Sequence, residues 1–406
     1  MEVMRILYVN KYNYLKGGCE RVLFTEMDLM RAKGHEVAVF ASSHPKNVPS
    51  EFSGDFVEEE NYFNASLAHK VKAAFKIIYS YEAFHKFGRV IDAFKPDLIH
   101  AHNIYAQLST GVLDAANQRR VPVVLTNHDY KLVCPSYMML DHGKICEKCI
   151  DGRYYHCFTT ACHKEDRVAS TVYTAESYFN AWFKKYDSVR KFICPSHFIL
   201  SKVAHRIPEN RLVVINNPVD ISTYTASADD EGYYLFTGRL SKEKGVFTMI
   251  KAFGDMKLPL KIAGTGPLEK ESRQLAAPYP SIQIVGYQTG KELETLYKNA
   301  HACVVPSEWY ENAPMAVIEP LAYGKPVIAA RIGGIPELVQ DGQNGLLFEP
   351  FNIEDLKAKI QALQQLSPNA YRSMCRSARE SAESQFSLER HYDELLKIYH
   401  QVLQTV

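Results

Sequence analysis

The sequence predicts an α/β protein made of two doubly wound, largely parallel sheets. Three observations predict it. Short apolar runs, among them residues 4–10, 35–41, 121–126, 260–264, 301–305 and 327–330, alternate with longer stretches of helical periodicity. Glycine and polar residues gather directly after several of these runs, where an open α/β sheet binds its ligands. A polar, turn-rich stretch at 217–232 separates an earlier strand–helix series from a later one. At 406 residues, 46% hydrophobic and 23% charged, the chain is long enough for two or three domains with large cores and ordinary in composition.

The net charge of +1 disfavours a nucleic-acid partner, but it is uneven: Lys and Arg number 28 against 23 acidic residues in 1–217, and 19 against 23 in 218–406. A mildly basic first half is compatible with an anionic acceptor or a membrane surface. No apolar run approaches the ~20 residues of a spanning helix. The start, Met1-Glu2-Val3-Met4-Arg5-Ile6, lacks the apolar core of a secretion signal. Nine cysteines, four of them packed between 146 and 162, do not resemble a secreted disulfide scaffold. A cytoplasmic protein is expected, with peripheral contact at the inner membrane face an open option.

Taken in order, residues 4–10 read as a buried parallel strand, and Gly17-Gly18-Cys19-Glu20-Arg21 opens a helix ending near Lys33-Gly34, ahead of a second strand at 35–41. Strand, glycine loop, helix, strand begins a doubly wound sheet, and paired glycines let backbone approach a phosphate at the helix start. Residues 65–95 read as helical, with Leu67, Val71, Ala74, Phe75, Ile78, Tyr81 and Phe84 on one face and an excess of lysine and arginine elsewhere. Such a helix can lie on an anionic membrane or simply show solvent a charged face. Strands at 96–103 and 121–126 end in polar residues, His100-Ala101-His102-Asn103 and Asn127-His128-Asp129-Tyr130. His128 is the imidazole best placed for chemistry, although a histidine at a strand end is also often bonded only to backbone.

A cysteine-bearing insertion near 134–165 follows. Cys146, Cys149, Cys157 and Cys162 have the spacing Cys-x2-Cys, seven residues, Cys-x4-Cys, the shape of a structural zinc site. Free thiols, two disulfides or an iron–sulfur cluster are the alternatives. Around the insertion the first domain is expected to span 1–217.

The second domain is expected over 228–385, with a last helix in 386–406 packing back on the first. Its strands carry Gly238-Arg239-Leu240-Ser241-Lys242-Glu243-Lys244-Gly245, Gly264-Thr265-Gly266 and Val285-Gly286-Tyr287 at their ends. Glu269 stands where a dinucleotide-binding loop has its third glycine, which disfavours a dehydrogenase. After the strand-like run at 301–305, around a helix opened by Asn312 with Pro314 in its first turn, stand Glu311 and, about two turns along, Glu319. The N–H groups of Met315 and Ala316 then point, with the helix dipole, into the crevice that receives both carboxylates. Two glutamates eight apart are by themselves a common surface pattern. Downstream stand Gly324-Lys325-Pro326, Gly333-Gly334-Ile335-Pro336-Glu337 and Asp341-Gly342-Gln343-Asn344-Gly345.

These ordered motifs resemble the carboxyl-terminal half of a GT-B glycosyltransferase of family 4, the large retaining family that uses nucleotide-sugar donors. The resemblance implies two Rossmann-like domains, the first for the acceptor and the second for the donor. It implies that Arg239 and Lys244 grip the donor diphosphate, that Glu311 holds the donor sugar and Glu319 the ribose, and that Val285 and Tyr287 meet the base. It places Gly17, Gly18, Gly264 and Gly266 beside the donor, and His128 at the sugar. Charge on the leaving diphosphate then falls to side chains and helix ends, because the chain has no Asp-x-Asp motif. No catalytic cofactor is expected. The expected donor is a nucleotide-diphosphate sugar, with uridine ahead of guanosine or adenosine, and the acceptor a glycan or lipid-linked molecule in envelope polysaccharide synthesis. A small soluble acceptor, a nucleotide-sugar isomerase and a non-catalytic binder remain alternatives. Pro320 departs from the small residue usual after the second glutamate.

Overall fold

The computed structural model describes residues 3–59 and 67–404. The chain divides into two compact units, residues 1–215 with 391–406, and residues 216–390. Each holds a six-stranded, all-parallel sheet.

In the first unit the strands are β1 (Arg5–Val9), β2 (Glu36–Phe40), β3 (Leu98–Ala101), β4 (Val123–Thr126), β5 (Val189–Cys194) and β6 (Leu212–Val214), in the order β6-β5-β4-β3-β1-β2. In the second they are β7 (Tyr233–Thr237), β8 (Leu260–Ala263), β9 (Ile282–Gly286), β10 (Ala300–Val305), β11 (Val327–Ala330) and β12 (Gly345–Phe348), in the order β9-β8-β7-β10-β11-β12. The central strands are largely apolar because helices cover both faces: β3, β4 and β11 are buried at every residue, with His100 and Thr126 the polar exceptions. In each sheet the strand order reverses direction once, between β1 and β3 and between β7 and β10. A crevice opens at the carboxyl ends of the strands at such a point. The glycine loops and polar strand ends of the sequence stand there.

The helices that bear on function are α1 (Gly18–Ala32), α2 (Leu67–Ile78), α3 (Tyr81–Phe94), α4 (Tyr155–Thr160), α5 (Arg167–Trp182), α6 (Val246–Met256), α7 (Met315–Ala322) and α8 (Leu388–Leu403). The helix expected over 65–95 is two helices. Ser80, in extended backbone, caps α3 by accepting a hydrogen bond from the Ala83 N–H at 3.1 Å, which ends α2 at Ile78. Residues 65 and 66 lie outside the described residues. The last helix, α8, buries Tyr392, Leu395, Ile398, Tyr399 and Val402, and its residues from His391 on belong to the first unit. Among the described residues no helix is long and apolar enough to cross a membrane.

Candidate functional site

In the second unit the loops after β7, β8 and β9 are hydrogen-bonded into one rim. Gly238 N–H donates to Ala263 O at 3.0 Å, Leu240 N–H to Thr265 O at 2.9 Å and Gly264 N–H to Gly286 O at 2.7 Å. Gly264 has φ +157°, and a Cβ there would stand 1.8 Å from Gly238 O, so the residue is glycine because two backbones touch. Gly266 lies in the same close contact, against Leu240. Val285 sits near the end of β9 and packs beside Tyr297, whereas Tyr287, just beyond, is 68% exposed. The exposure of Tyr287 leaves its ring available to a flat ligand.

Arg239 follows directly on this rim, exposed, and its guanidinium makes no hydrogen bond or ion pair among the described residues. Lys244 does not stand as an unpaired cation. Its Nζ lies 2.5 Å from Glu311 Oε1 and 5.1 Å from the centre of the Trp309 ring. Glu311, 5% exposed, also accepts a hydrogen bond from the Ser307 hydroxyl at 2.7 Å, on the same oxygen. Burial works against its charge, but Lys244 and the Ser307 hydroxyl hold the carboxyl below the usual carboxylate range. The Glu311 loop is pinned from the far side: Gly334 N–H donates to Glu311 O at 2.8 Å, and a Cβ at Gly333, φ +61°, would meet that same oxygen at 2.2 Å.

Glu319, also 5% exposed, is held by Tyr297 of the helix Gly290–Lys298. Tyr297 donates its phenolic proton to Glu319 Oε2 at 2.9 Å and accepts from Thr237 Oγ1 at 2.8 Å. Thr237 ends β7, one residue before Gly238, so the second carboxylate reaches the rim that carries Arg239. The structure thus brings Arg239, Lys244, Glu311, Glu319, Gly264 and Gly266 to one end of one sheet. Two expectations about α7 change. The helix starts at Met315 with Pro314 as its cap, not at Asn312, because the extended Pro314 (φ −70°, ψ 127°) cannot lie inside it. Glu319 is therefore little more than one turn along. Pro320 is in the helix interior. Met315 and Ala316 are its first two residues and half-buried, so their N–H groups belong to the unsatisfied first turn.

In the first unit Gly17 caps α1, with the Gly18 N–H group in the first turn. Gly17 has extended backbone, and a Cβ there would meet Glu20 Oε2 at an ordinary 3.7 Å, so the fold alone does not demand a glycine. His128 lies two residues past β4, half-buried, and burial pushes its imidazole down to about 3. Its Nε2 lies 2.8 Å from Nδ1 of His102, just beyond β3. Behind His102 is a set of buried polar residues that sequence spacing did not single out: Glu26 of α1, His100 of β3, and His391 and Tyr399 of α8. The available signal was His100-Ala101-His102, two imidazoles on one face of a strand. Asp129, next to His128, is pushed up by burial to about 6.

The cysteines expected to hold zinc lie in an insertion with a small core of its own. Among the described residues the one group of three metal-ligating side chains with ligand atoms all within 4.8 Å of one another is Glu26, His100 and His102; Cys146, Cys149, Cys157 and Cys162 are free thiols that lie near one another without that close a grouping. Cys149, Tyr154 and Cys157 are buried together, with Cys162, Tyr178 and Ala181 packed against them. This ties α4 to α5. The Cys157 and Cys162 thiols are hydrogen-bonded to each other, and burial pushes Cys149 up to about 12. Cys149 and Cys157, both buried, pack as small apolar side chains.

Comparison with known proteins agrees with this architecture. The family model described as Glycosyltransferase Family 4 matches residues 16–223, and that of glycosyl transferases group 1 matches residues 221–382. An uncharacterised glycosyltransferase of Methanocaldococcus jannaschii is 28% identical over 349 residues, 85% of this chain and 87% of that protein. The sulfoquinovosyl transferase of Arabidopsis thaliana is 28% identical over 82% of this chain and 61% of its own length. The crystal structure of Anabaena HepE in complex with UDP-glucose superposes with a TM-score of 0.66 at 18% identity, covering 99% of this chain and all of that one, which makes the fold GT-B. The chain belongs to glycosyltransferase family 4 and is a glycosyltransferase.

Proposed function

We propose that the enzyme transfers a sugar, with retention of anomeric configuration, from a nucleotide-diphosphate donor to a glycan or lipid-linked acceptor of cell-envelope polysaccharide. The single observation that carries this is the convergence of Arg239, the Lys244–Glu311 pair and Glu319 at the reversal point of the second sheet. Arg239, exposed and unpaired, offers a two-pronged donor to phosphate oxygens. Lys244, seated on Glu311 Oε1, extends the cationic surface while keeping the buried carboxylate charged. Glu311 Oε2 is then left to accept from sugar hydroxyls, and Glu319, oriented by Tyr297, to accept from ribose. The N–H groups that open α7 add positive potential where the leaving diphosphate gathers charge. Uridine is favoured as the base because HepE binds UDP-glucose on the same fold. Retention and the direct hand-over of the acceptor proton to the leaving phosphate rest on family membership. Gly17, Gly18 and His128 are assigned to the acceptor-side unit and reach toward the donor sugar. A peripheral membrane contact is supported by Val71, Phe75, Trp182 and Phe183, all large apolar side chains at least 49% exposed in the first unit.

The test is calorimetric titration with UDP, GDP and ADP, followed by donor turnover. UDP should bind most tightly, and Arg239→Ala should lower turnover at least ~100-fold through loss of a charge-assisted contact to the leaving group. Binding of none of the three diphosphates, or near-wild-type turnover in Arg239→Ala, would sink the assignment.

A further inference from the structure

Glu26 is a carboxylate buried under the first sheet, 1% exposed, and among the described residues no lysine or arginine bonds to it. Imidazoles surround it instead. Oε1 lies 3.1 Å from His391 Nε2; Oε2 lies 3.4 Å from His100 Nδ1 and 3.4 Å from His102 Nε2. His100 has both nitrogens engaged, Nδ1 with Tyr399 Oη and Nε2 with Thr126 Oγ1, each at 2.7 Å. Tyr8 Oη meets Tyr399 Oη at 3.4 Å. Two buried atoms are left without a hydrogen-bond partner, Glu26 Oε2 and His102 Nε2, and they face each other. These are the residues that group as potential metal ligands. His100 has no nitrogen to spare, however, so a metal would find one carboxylate oxygen and one imidazole.

We propose that Glu26 and His102 are positioning residues that fix the tautomer of His128, giving it Nε2–H and a bare Nδ1 that accepts a hydrogen bond from a sugar hydroxyl. The argument is one of proton placement, and it rests on the reading above that His128 meets the sugar. An imidazole lone pair against a carboxylate is repulsive, so His102 turns Nε2–H toward Glu26 Oε2. A small rotation closes 3.4 Å to a normal bond. With its single proton on Nε2, His102 has only a lone pair at Nδ1. His128 Nε2, 2.8 Å away with the two ring planes within 17° of each other, must supply the proton. His128 Nδ1 is left without a proton and, among the described residues, without a partner. Burial, which pushes His128 down to about 3, keeps the ring neutral and this acceptor intact at physiological pH. The logic matches that of a carboxylate orienting a catalytic imidazole, lengthened here by one ring.

The test is nitrogen-15 NMR of the histidine side chains in the full chain, with His128 assigned by loss of its signals in His128→Gln. Wild type should show a protonated Nε2 and a bare Nδ1 at His128. Glu26→Gln, whose amide can present either an oxygen or an N–H to His102, should populate the Nδ1–H form, and Glu26→Asp should restore the wild-type pattern. Nδ1–H in the wild type, whether from the opposite tautomer or from a doubly protonated His102, would overturn the proposal. So would an unchanged His128 pattern in Glu26→Gln, or one equivalent of bound metal by elemental analysis that is lost in that variant. The wild-type spectrum decides even if Glu26→Gln does not fold. Unchanged UDP-glucose turnover in His128→Ala, by contrast, would remove His128 from the sugar site and leave the tautomer result standing.

Discussion

The Lys244–Glu311 pair permits a stability test that is independent of substrate identity. Replacing Lys244 by Met keeps the stem and removes the charge, leaving the Glu311 carboxylate buried with the Ser307 hydroxyl and the Trp309 side chain as its neutral partners. Breaking one side of a fully buried pair costs ~3–5 kcal/mol. The Lys244 side chain is 25% exposed and Glu311 7%, so solvent softens the loss, and ~2–3 kcal/mol is expected at pH 7. The sign with pH follows from the direction of the shift. In the wild type Glu311 titrates below its usual value, so its stabilisation is present above the usual carboxylate range and is lost as pH falls through the folded value. In Lys244→Met burial dominates and the carboxyl titrates above that range, so the same group destabilises the neutral protein and is relieved by acid. The gap between the two proteins should therefore be widest at pH 7 and close toward about pH 4. The chain has two tryptophans, Trp182 in the first unit and Trp309 in the second. In a Trp182→Phe background, urea unfolding followed by fluorescence reports on the second unit alone. Adding Glu311→Gln to Lys244→Met should recover most of the loss, since no charge is left stranded. A variant as stable as wild type at pH 7, or a gap that does not change between pH 7 and pH 4.5, would refute the pairing.

Three further outcomes are expected. Glu319→Ala should weaken UDP binding more than Glu311→Ala, which should act mainly on the intact nucleotide sugar; calorimetry showing equal losses for both ligands in both variants would contradict that division. His163, 3% exposed and stacked 4.1 Å from Tyr173, is pushed by burial from 6.5 down to about 4. Unfolded chains therefore take up its proton first, and up to about 3 kcal/mol of stability is lost as pH falls from about 6.5 to 4. His163→Phe should keep the stack and flatten that limb of a urea-midpoint profile, and an unaltered limb would count against it. In the insertion, Cys149 and Cys157 should react with thiol reagents only on unfolding, before and after chelator treatment alike. One equivalent of zinc by elemental analysis would instead assign these thiols to a metal.

The two-sheet architecture was legible because its signals are local. Apolar runs of four to six residues mark buried parallel strands; Gly238-Arg239 and Gly264 follow theirs directly, and Glu311 lies in the loop after its own. What was missed depended on neighbours distant in sequence. Sequence periodicity carried one helix through 65–95, although Ser80 with its acceptor oxygen was a visible cap; helical residues on both sides outweighed it. The cysteines suggested a metal because their spacing was conspicuous, while the contribution of Tyr154 and Tyr178 to a small core could not be read without knowing that α4 meets α5. Lys244 was expected to point at phosphate, and nothing local shows that a residue 67 positions on would already hold it.

The histidine network shows the same limit in its strongest form. Glu26, His102, His128 and His391 come from α1, the ends of two strands and the last helix, and the sequence distance from Glu26 to His391 is 365 residues. No spacing rule joins them. Each alone has a bland explanation: a helix glutamate, two strand-end imidazoles, a helix histidine. What makes them a unit is that burial removes water from Glu26, His102 and His391 at once, so the protons between them and His128 must be assigned to partners inside the protein. His128 stood out in the sequence by its position after a strand. Which of its nitrogens faces the ligand is decided two residues deeper, by a carboxylate that never approaches the site.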